Sequence, residues 1–564
     1  MKRICYLIAI TLLIQCKTEE KLDLVILSDS IYTASEDTTK VEAIGVIADK
    51  IVFIGTKAEM IGRKDDNTKI IDATGQFVMP GFIEGHGHFS GMGSSLQNLN
   101  FLKDTSWNAI LDKIEKKAAT LKDGQWIYGR GWHQEKWTEL PNENHGAYPM
   151  HYSLSELSPD NPAILIHASG HSLIANESAM KKAGISIESA NPKGGEIVRN
   201  DNGDIVGVFE ERAMTPIKEA FNSYLDNLDA ESQKKIWYEA IELAQKECLE
   251  NGITSFQDAG SLFLELDRYE ALAQDGKLDI RLWAMMRDSL NKIPKPVSEY
   301  RKVNIGNGHY TCRAIKSEID GALGAHGAWL IEPYADKPDF YGQNTTEIST
   351  VEDLAKVAYD NNMQLCVHAI GDRANKETLD IIESYSKQSD KNLRWRVEHA
   401  QHLSPLDIQR FKSTGAIASM QGVHCTSDAP FVQRRLGLLR SKIGAYAWKA
   451  LLNQGVTIVN GTDVPVEDID PIQNFYASVT RKRLDNGMEF FVENRMSREQ
   501  ALRSYTIDAA YGAFEDDIKG SIEIGKYADI TILDKNIITC DDLDIPDTKI
   551  VYTIVGGEIL YESQ

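Results

Sequence analysis

The sequence has no basic excess: 61 Lys and Arg stand against 83 Asp and Glu, a formal net charge of −22. A surface of that sign repels phosphate backbones, which excludes nucleic acid as the main partner. Cysteine is scarce, at seven residues, and beyond Cys16 only Cys248, Cys312, Cys366, Cys425 and Cys540 remain, scattered and without a CxxC pair. That count and spacing argue against a disulfide framework even in an oxidising compartment and leave buried thiols. No low-complexity block interrupts the chain, which is 42% hydrophobic and 26% charged like an ordinary globular protein. At 564 residues it is too long for one small domain and buries a large core.

Long apolar runs are also missing. The N-terminal one, Ile4 to Ile14, is too short to span a bilayer as a helix. It follows Lys2 and Arg3 and precedes Gln15-Cys16 and the polar Lys17-Thr18-Glu19-Glu20-Lys21, the pattern of an export signal occupying about residues 1–21. The segment resembles a bacterial lipoprotein lipobox, which implies lipidation at Cys16 and a lipid anchor on the periplasmic or cell-surface side. Ile14 and Gln15 stand where that box usually has small residues. An uncleaved or conventionally cleaved signal is the rival reading.

Residues 22–77 alternate short β-rich runs with turns, as in Leu24-Val25-Ile26-Leu27 and Lys50-Ile51-Val52-Phe53-Ile54-Gly55, and residues 515–564 do the same. Neither end has strands enough alone, so the two are expected to join as one composite β-sandwich domain. Between them, over 78–514, apolar strands alternate with amphipathic helices, the signature of a parallel α/β sheet. Eight strands are expected: Val78–His88, Ile253–Asp258, Arg281–Met286, Arg313–Asp320, Gln364–His368, Arg394–His399, Ala416–Gln421 and Thr457–Asp463. Eight such units predict a (β/α)8 TIM barrel with its chemistry at the C-terminal strand ends. A helix is expected over Glu231–Glu250, with Ile236, Ala240, Leu243, Ala244 and Cys248 on one face. The stretch of about 90–250 is too long for one connection and reads as an inserted subdomain, a lid over the barrel mouth.

The richest local signal is Glu84-Gly85-His86-Gly87-His88. On a strand, residues i and i+2 share a face, so His86 and His88 can grip one metal ion. Ligand-type residues also fall near the ends of later strands: Lys316 and Asp320 on the fourth, His368 on the fifth, His399 on the sixth and Asp463 on the eighth. Each alone has a bland reading as a solvated cation, core histidine or helix cap. Together they match a one- or two-metal hydrolytic site of neutral imidazoles, a bridging anion and a carboxylate base.

With Ala168-Ser169-Gly170-His171-Ser172, Asp320-Gly321-Ala322-Leu323-Gly324, Val367-His368-Ala369-Ile370-Gly371-Asp372-Arg373, Val397-Glu398-His399-Ala400-Gln401 and Gly461-Thr462-Asp463-Val464-Pro465, the chain resembles the amidohydrolase superfamily. The resemblance is to its YtcJ-like branch, amidohydrolase family 3, over nearly the whole mature chain. It implies that His86, His88 and Asp463 bind one metal and His368 and His399 a second, with carboxylated Lys316 bridging them. One metal with unmodified Lys316 is the simpler alternative. Zinc suits these ligands, and iron, manganese and nickel stay open. Two departures stand out: Glu84-Gly85 replaces the Asp usual before the histidine pair, and His326 stands where many relatives have Arg.

The implied reaction is attack of metal-bound hydroxide on a carbonyl carbon, with Asp463 as general acid and base. The implied substrate is a small molecule with a non-peptide C–N bond: an N-acyl, N-formyl or cyclic amide. His171, His424, Arg373, His326 and Trp132 are the candidate substrate contacts. Deaminase, esterase or isomerase chemistry on the same scaffold, and a lipoprotein that binds a small molecule without turnover, are the alternatives. The expected membrane contact is the lipid anchor alone, and a homodimer is left open.

Overall fold

The computed structural model describes residues 21–36, 40–60, 63–101, 103–134, 137–167, 172–287 and 296–563. Cys16 and the expected export signal up to residue 20 lie outside them, as does His171. Among the described residues no helix is long and apolar enough to cross a membrane. The chain divides into two compact units, Met1–His88 with Cys248–Gln564, and Phe89–Glu247.

In the larger unit eight parallel strands follow one another around a nearly closed barrel: β1 (Phe82–Gly87), β2 (Ile253–Ser261), β3 (Arg281–Met286), β4 (Tyr310–Glu318), β5 (Gln364–Ala369), β6 (Arg396–His399), β7 (Ile417–Gln421) and β8 (Ile458–Gly461). Each pairs in parallel with the next, and the intervening helices, such as Ile348–Asp360 and Asp372–Ser386, bury one apolar face. Two main-chain hydrogen bonds join the first and last strand ends: Asp463 donates to the His86 carbonyl and His88 to that of Val464, both at 2.7 Å. The seam is tight because Gly85 and Gly461 face each other across it. A Cβ at Gly85 would collide with the Asn460 carbonyl oxygen, and one at Gly461 with the His86 backbone.

The expected strand Val78–His88 is two strands. Phe77–Pro80 pairs antiparallel with Ile530–Leu533, and the barrel strand begins only at Phe82. Proline ends the first segment because it has no N–H to donate, and Gly81 fits against the Thr254 side chain, where a Cβ would collide. Asp320 likewise lies beyond β4, which stops at Glu318.

The two ends of the chain form a four-stranded sheet (Leu24–Leu27, Ala43–Ile47, Lys50–Gly55, Lys69–Asp72) and a five-stranded one (Ser30–Ile31, Phe77–Pro80, Ile530–Leu533, Ile550–Val555, Glu558–Glu562). Ile26, Ile44 and Ile51 of the first share one apolar cluster with Val78, Ile532 and Ile554 of the second.

The smaller unit holds a six-stranded sheet whose longest members are Ile127–Trp132 and Ile205–Glu211, flanked by helices Trp107–Ala118 and Thr215–Asp226. The last helix runs from Ala230 to Glu250. Its Ala240, Ala244 and Cys248 are buried, but Ile236 is exposed, against the expectation that it joins their face.

Candidate metal centre

The barrel brings the ligand-type residues of five strands together. His86 and His88 come from the end of β1, Lys316 from β4, His368 from β5, His399 from β6 and Asp463 from just beyond β8. Ligand atoms of His86, His399 and Asp463 lie within 4.8 Å of one another. Asp463 Oδ1 is 3.2 Å from His88 Nε2 and 3.7 Å from His86 Nε2. The His368 and His399 rings meet edge-on with centroids 4.4 Å apart, and Lys316 Nζ sits 3.4 Å from His86 Nε2.

The imidazoles are held by their other nitrogens. His86 Nδ1 bonds to Glu398 Oε2, and His399 Nδ1 lies 2.8 Å from Gln421 Oε1. Those bonds turn each Nε2 toward the shared space, as partners behind metal-bound histidines do. Glu398 is itself gripped by the fully buried Arg396, at 2.7 and 2.9 Å, and Arg396 also donates to the Gly85 carbonyl and the Ser419 hydroxyl. This His–Glu–Arg chain was not anticipated from the sequence. An Arg and a Glu two residues apart within an otherwise buried strand was the available signal.

Burial and nearby charges keep the imidazoles neutral, each with one ring nitrogen free of a proton. Burial, aided by nearby Lys316, lowers His86 and His368 to about 3. His399 is held well below the ordinary range, again chiefly by burial. Burial lowers Lys316 too, against the pull of Glu398 and Asp463. Burial alone would raise Asp463, but the close approach of His88 and the surrounding histidines hold its carboxyl far below the usual range. Glu84 goes the other way: full burial pushes it up to about 8, while Thr462 N–H donates to its Oε1 at 2.6 Å.

His368 Nε2 and Asp463 Oδ1 are buried yet make no well-formed hydrogen bond among the described residues. Polar atoms in that state are costly, and a cation between them would satisfy both. Neutral imidazole nitrogens with a carboxylate are a donor set for a divalent ion, so the residues fit a metal. They open onto a cavity of about 370 Å³, bordered also by Arg287, Leu323, Gln401, His424, Asp428 and Phe431.

The sequence model of the amidohydrolase family matches residues 69–561. The chain belongs to the amidohydrolase family. It is an enzyme of that family. It is 28% identical to the putative amidohydrolase YtcJ of Bacillus subtilis, over 94% of this chain and 98% of that one. It is 26% identical to the N-substituted formamide deformylase of Arthrobacter pascens, over 96% and 98% of the two chains. Its fold resembles that of an uncharacterized metal-dependent hydrolase from Pyrococcus furiosus, with a TM-score of 0.71 and 25% identity over 92% of this chain and all of that one.

Other expected site residues of this amidohydrolase are occupied elsewhere. Asp320 is a structural carboxylate: it accepts from the N–H groups of Trp329, Ile370 and Gly371 at 2.8–2.9 Å. Arg373 pairs with Glu377 at 2.6 Å and lies over the Trp329 ring, and it does not border the cavity. His326 is likewise away from the cavity, 3.2 Å from Asp336 and packed on Tyr334. Trp132 is fully buried in the apolar core of the smaller unit, and its indole N–H donates to the Leu165 carbonyl at 2.7 Å. His424 does border the cavity, stacked on His399 at 6.3 Å between centroids.

Proposed function

We propose that the protein hydrolyses an N-acyl, N-formyl or cyclic amide of a small molecule, with His86, His88, His368, His399 and Asp463 holding one or two divalent ions, zinc by preference. The observation that carries this reading is the convergence of neutral imidazoles on a buried carboxylate whose Oδ1 makes no well-formed hydrogen bond among the described residues. Similarity to a protein named for deformylating N-substituted formamides supports the choice of bond. A bound metal ion supplies Lewis acidity and a water of lowered pKa.

The chain's own residues do the rest. Asp463, kept ionised at neutral pH, accepts the proton of the nucleophile at Oδ1 and returns it to the leaving nitrogen. Glu398, fixed by Arg396, orients His86. Lys316, a buried amine driven toward its neutral form, would add CO2 with loss of one proton and so supply an anionic ligand to the metal site.

In the wider molecule, we read 22–77 with 515–564 as a composite β-sandwich and about 90–250 as an inserted subdomain. We also read the N-terminal segment as an export signal whose Cys16 carries a lipid anchor. A Cys16→Ser form should then leave the membrane fraction. The decisive experiment is turnover of an amide, formamide and ester panel by zinc-loaded protein, with Asp463→Asn alongside. The variant should lose about 10²–10⁴-fold in rate. Turnover that survives Asp463→Asn, or that needs no metal, would overturn the mechanism.

A further inference from the structure

Past His424, the short helix Gly422–Ser427 delivers Asp428 to the same cavity. Asp428 is half-buried and firmly held. Its Oδ2 accepts from the Gln401 amide at 2.7 Å and from the Tyr446 hydroxyl at 2.5 Å, and the Gln401 amide also donates to that hydroxyl. Among the described residues its Oδ1 makes no hydrogen bond and Asp428 no ion pair with Lys or Arg, and His424 is the titratable group that acts on it electrostatically. Two buried donors thus lock one oxygen and leave the other facing open space. That arrangement suits binding better than folding, because a carboxylate kept only for stability would be paired.

The cavity lining carries the cationic residues Arg287 and Lys316 as well as carboxylates. Arg287, the cavity's arginine, is neutralised by Glu318 at 2.6 Å. Glu467 borders the cavity as a second carboxylate, in no direct ion pair among the described residues though within the electrostatic reach of Arg483. Ala322, Leu323 and Phe431 supply apolar surface between these groups. Independently, Asp463 is only 7% exposed and leaves Oδ1 without a well-formed hydrogen bond among the described residues toward the same space, so the cavity is a ligand site on grounds other than its acidity.

We infer that the substrate carries a protonated amine on the arm that reaches Asp428, and that amides bearing a carboxylate there are disfavoured. This rests on the hydrolytic reading of the site and adds the charge class of what it accepts. Asp428 accepts a hydrogen bond from the ammonium at Oδ1, Glu467 adds to the attraction, and the apolar wall packs the chain between ammonium and amide. A carboxylate arm meets two negative groups and no free arginine.

The test uses metal-loaded protein and N-formyl alkylamines of equal length ending in ammonium, methyl or carboxylate. kcat/KM is read for those cleaved, and Kd by calorimetry for all three. Ammonium should be preferred over carboxylate by about 10- to 100-fold, the range of one charge-assisted hydrogen bond. Asp428→Asn should bring that ratio close to one. Glu467→Gln, which breaks no ion pair among the described residues, should reduce it by a smaller factor and guards against misfolding of the first variant. Equal handling of the carboxylate and ammonium compounds, an unchanged ratio in Asp428→Asn, or failure of all three to bind would overturn the inference. Binding in the expected order without cleavage would instead count against hydrolysis of this class and leave the charge preference standing.

Discussion

Two buried cations sit on adjacent strands of the barrel and have opposite surroundings. Arg281 opens β3 and is 1% exposed; Lys316 lies near the end of β4 and is 6% exposed. Arg281 meets Asp529 through two hydrogen bonds of 2.7 and 3.0 Å, donates a third to the Asn307 carbonyl and lies over the Tyr527 ring. Burial opposes both charges of that pair, but their attraction wins, raising Arg281 and lowering Asp529. Lys316 has no carboxylate in ion-pair reach among the described residues, only His86 Nε2 at 3.4 Å. The difference teaches how to read buried charge: a fully paired ion holds two segments together, whereas an unpaired one is tolerated where chemistry uses it.

Substitution of each cation should separate these roles. Lys316→Met is expected to cut turnover by about 10²–10⁴-fold, while the metal-free protein keeps or gains stability because an uncompensated buried amine is gone. Arg281→Met should do the reverse. It strands Asp529 and costs about 3–5 kcal/mol, read by urea denaturation, with the folded fraction still active. If Lys316→Met destabilises the metal-free protein as much as Arg281→Met, the contrast collapses.

A smaller effect is expected at the support behind the metal site. Glu398→Gln should weaken metal binding about 10- to 100-fold, measured by competition with a chelator. Unchanged affinity would mean that the bond to His86 does not set the ring.

The mildest perturbation is pH. His86 and His368 bind protons near 6.5 when unfolded and only near 3 when folded, so acidification from 6.5 toward 3 protonates the unfolded chain first. The metal-free protein therefore loses stability as pH falls through that window, and its stability gains nothing from these groups above it. Asp529 is lowered from an ordinary value of 3.8, so the Arg281 pair is forfeited only at more acid pH. Denaturation curves between pH 7 and pH 3 should show the catalytic end weakening before the paired end. A flat profile down to about pH 4 would contradict the burial of neutral imidazoles.

The eight barrel strands could be read from the sequence because apolar runs such as Arg281–Met286 and Ile417–Gln421 are buried along their whole length. Sheet membership was not legible. Phe77–Pro80 and Phe82–Gly87 look like one run, yet they pair with different sheets on either side of Gly81. At the site, His86, His88, Lys316, His368, His399 and Asp463 could be nominated because residue type and strand-end position coincide. Arg373, His326 and Trp132 looked equally plausible, since a side chain spent on Glu377, Asp336 or the Leu165 carbonyl reads the same in one dimension as a free one. Glu398 was passed over for the opposite reason: beside a histidine it resembles a surface carboxylate until its bond to Arg396 is seen.

The seam between β1 and β8 has a consequence for how the protein is made. His86 and His88 leave the ribosome before Asp463 and the backbone that clasps them, which lie about 375 residues later in the chain. A nascent chain therefore carries a histidine pair with nothing to complete it, and the full ligand cage assembles only when the barrel closes. Fragments cut short before Asp463 should bind metal more weakly than the whole chain.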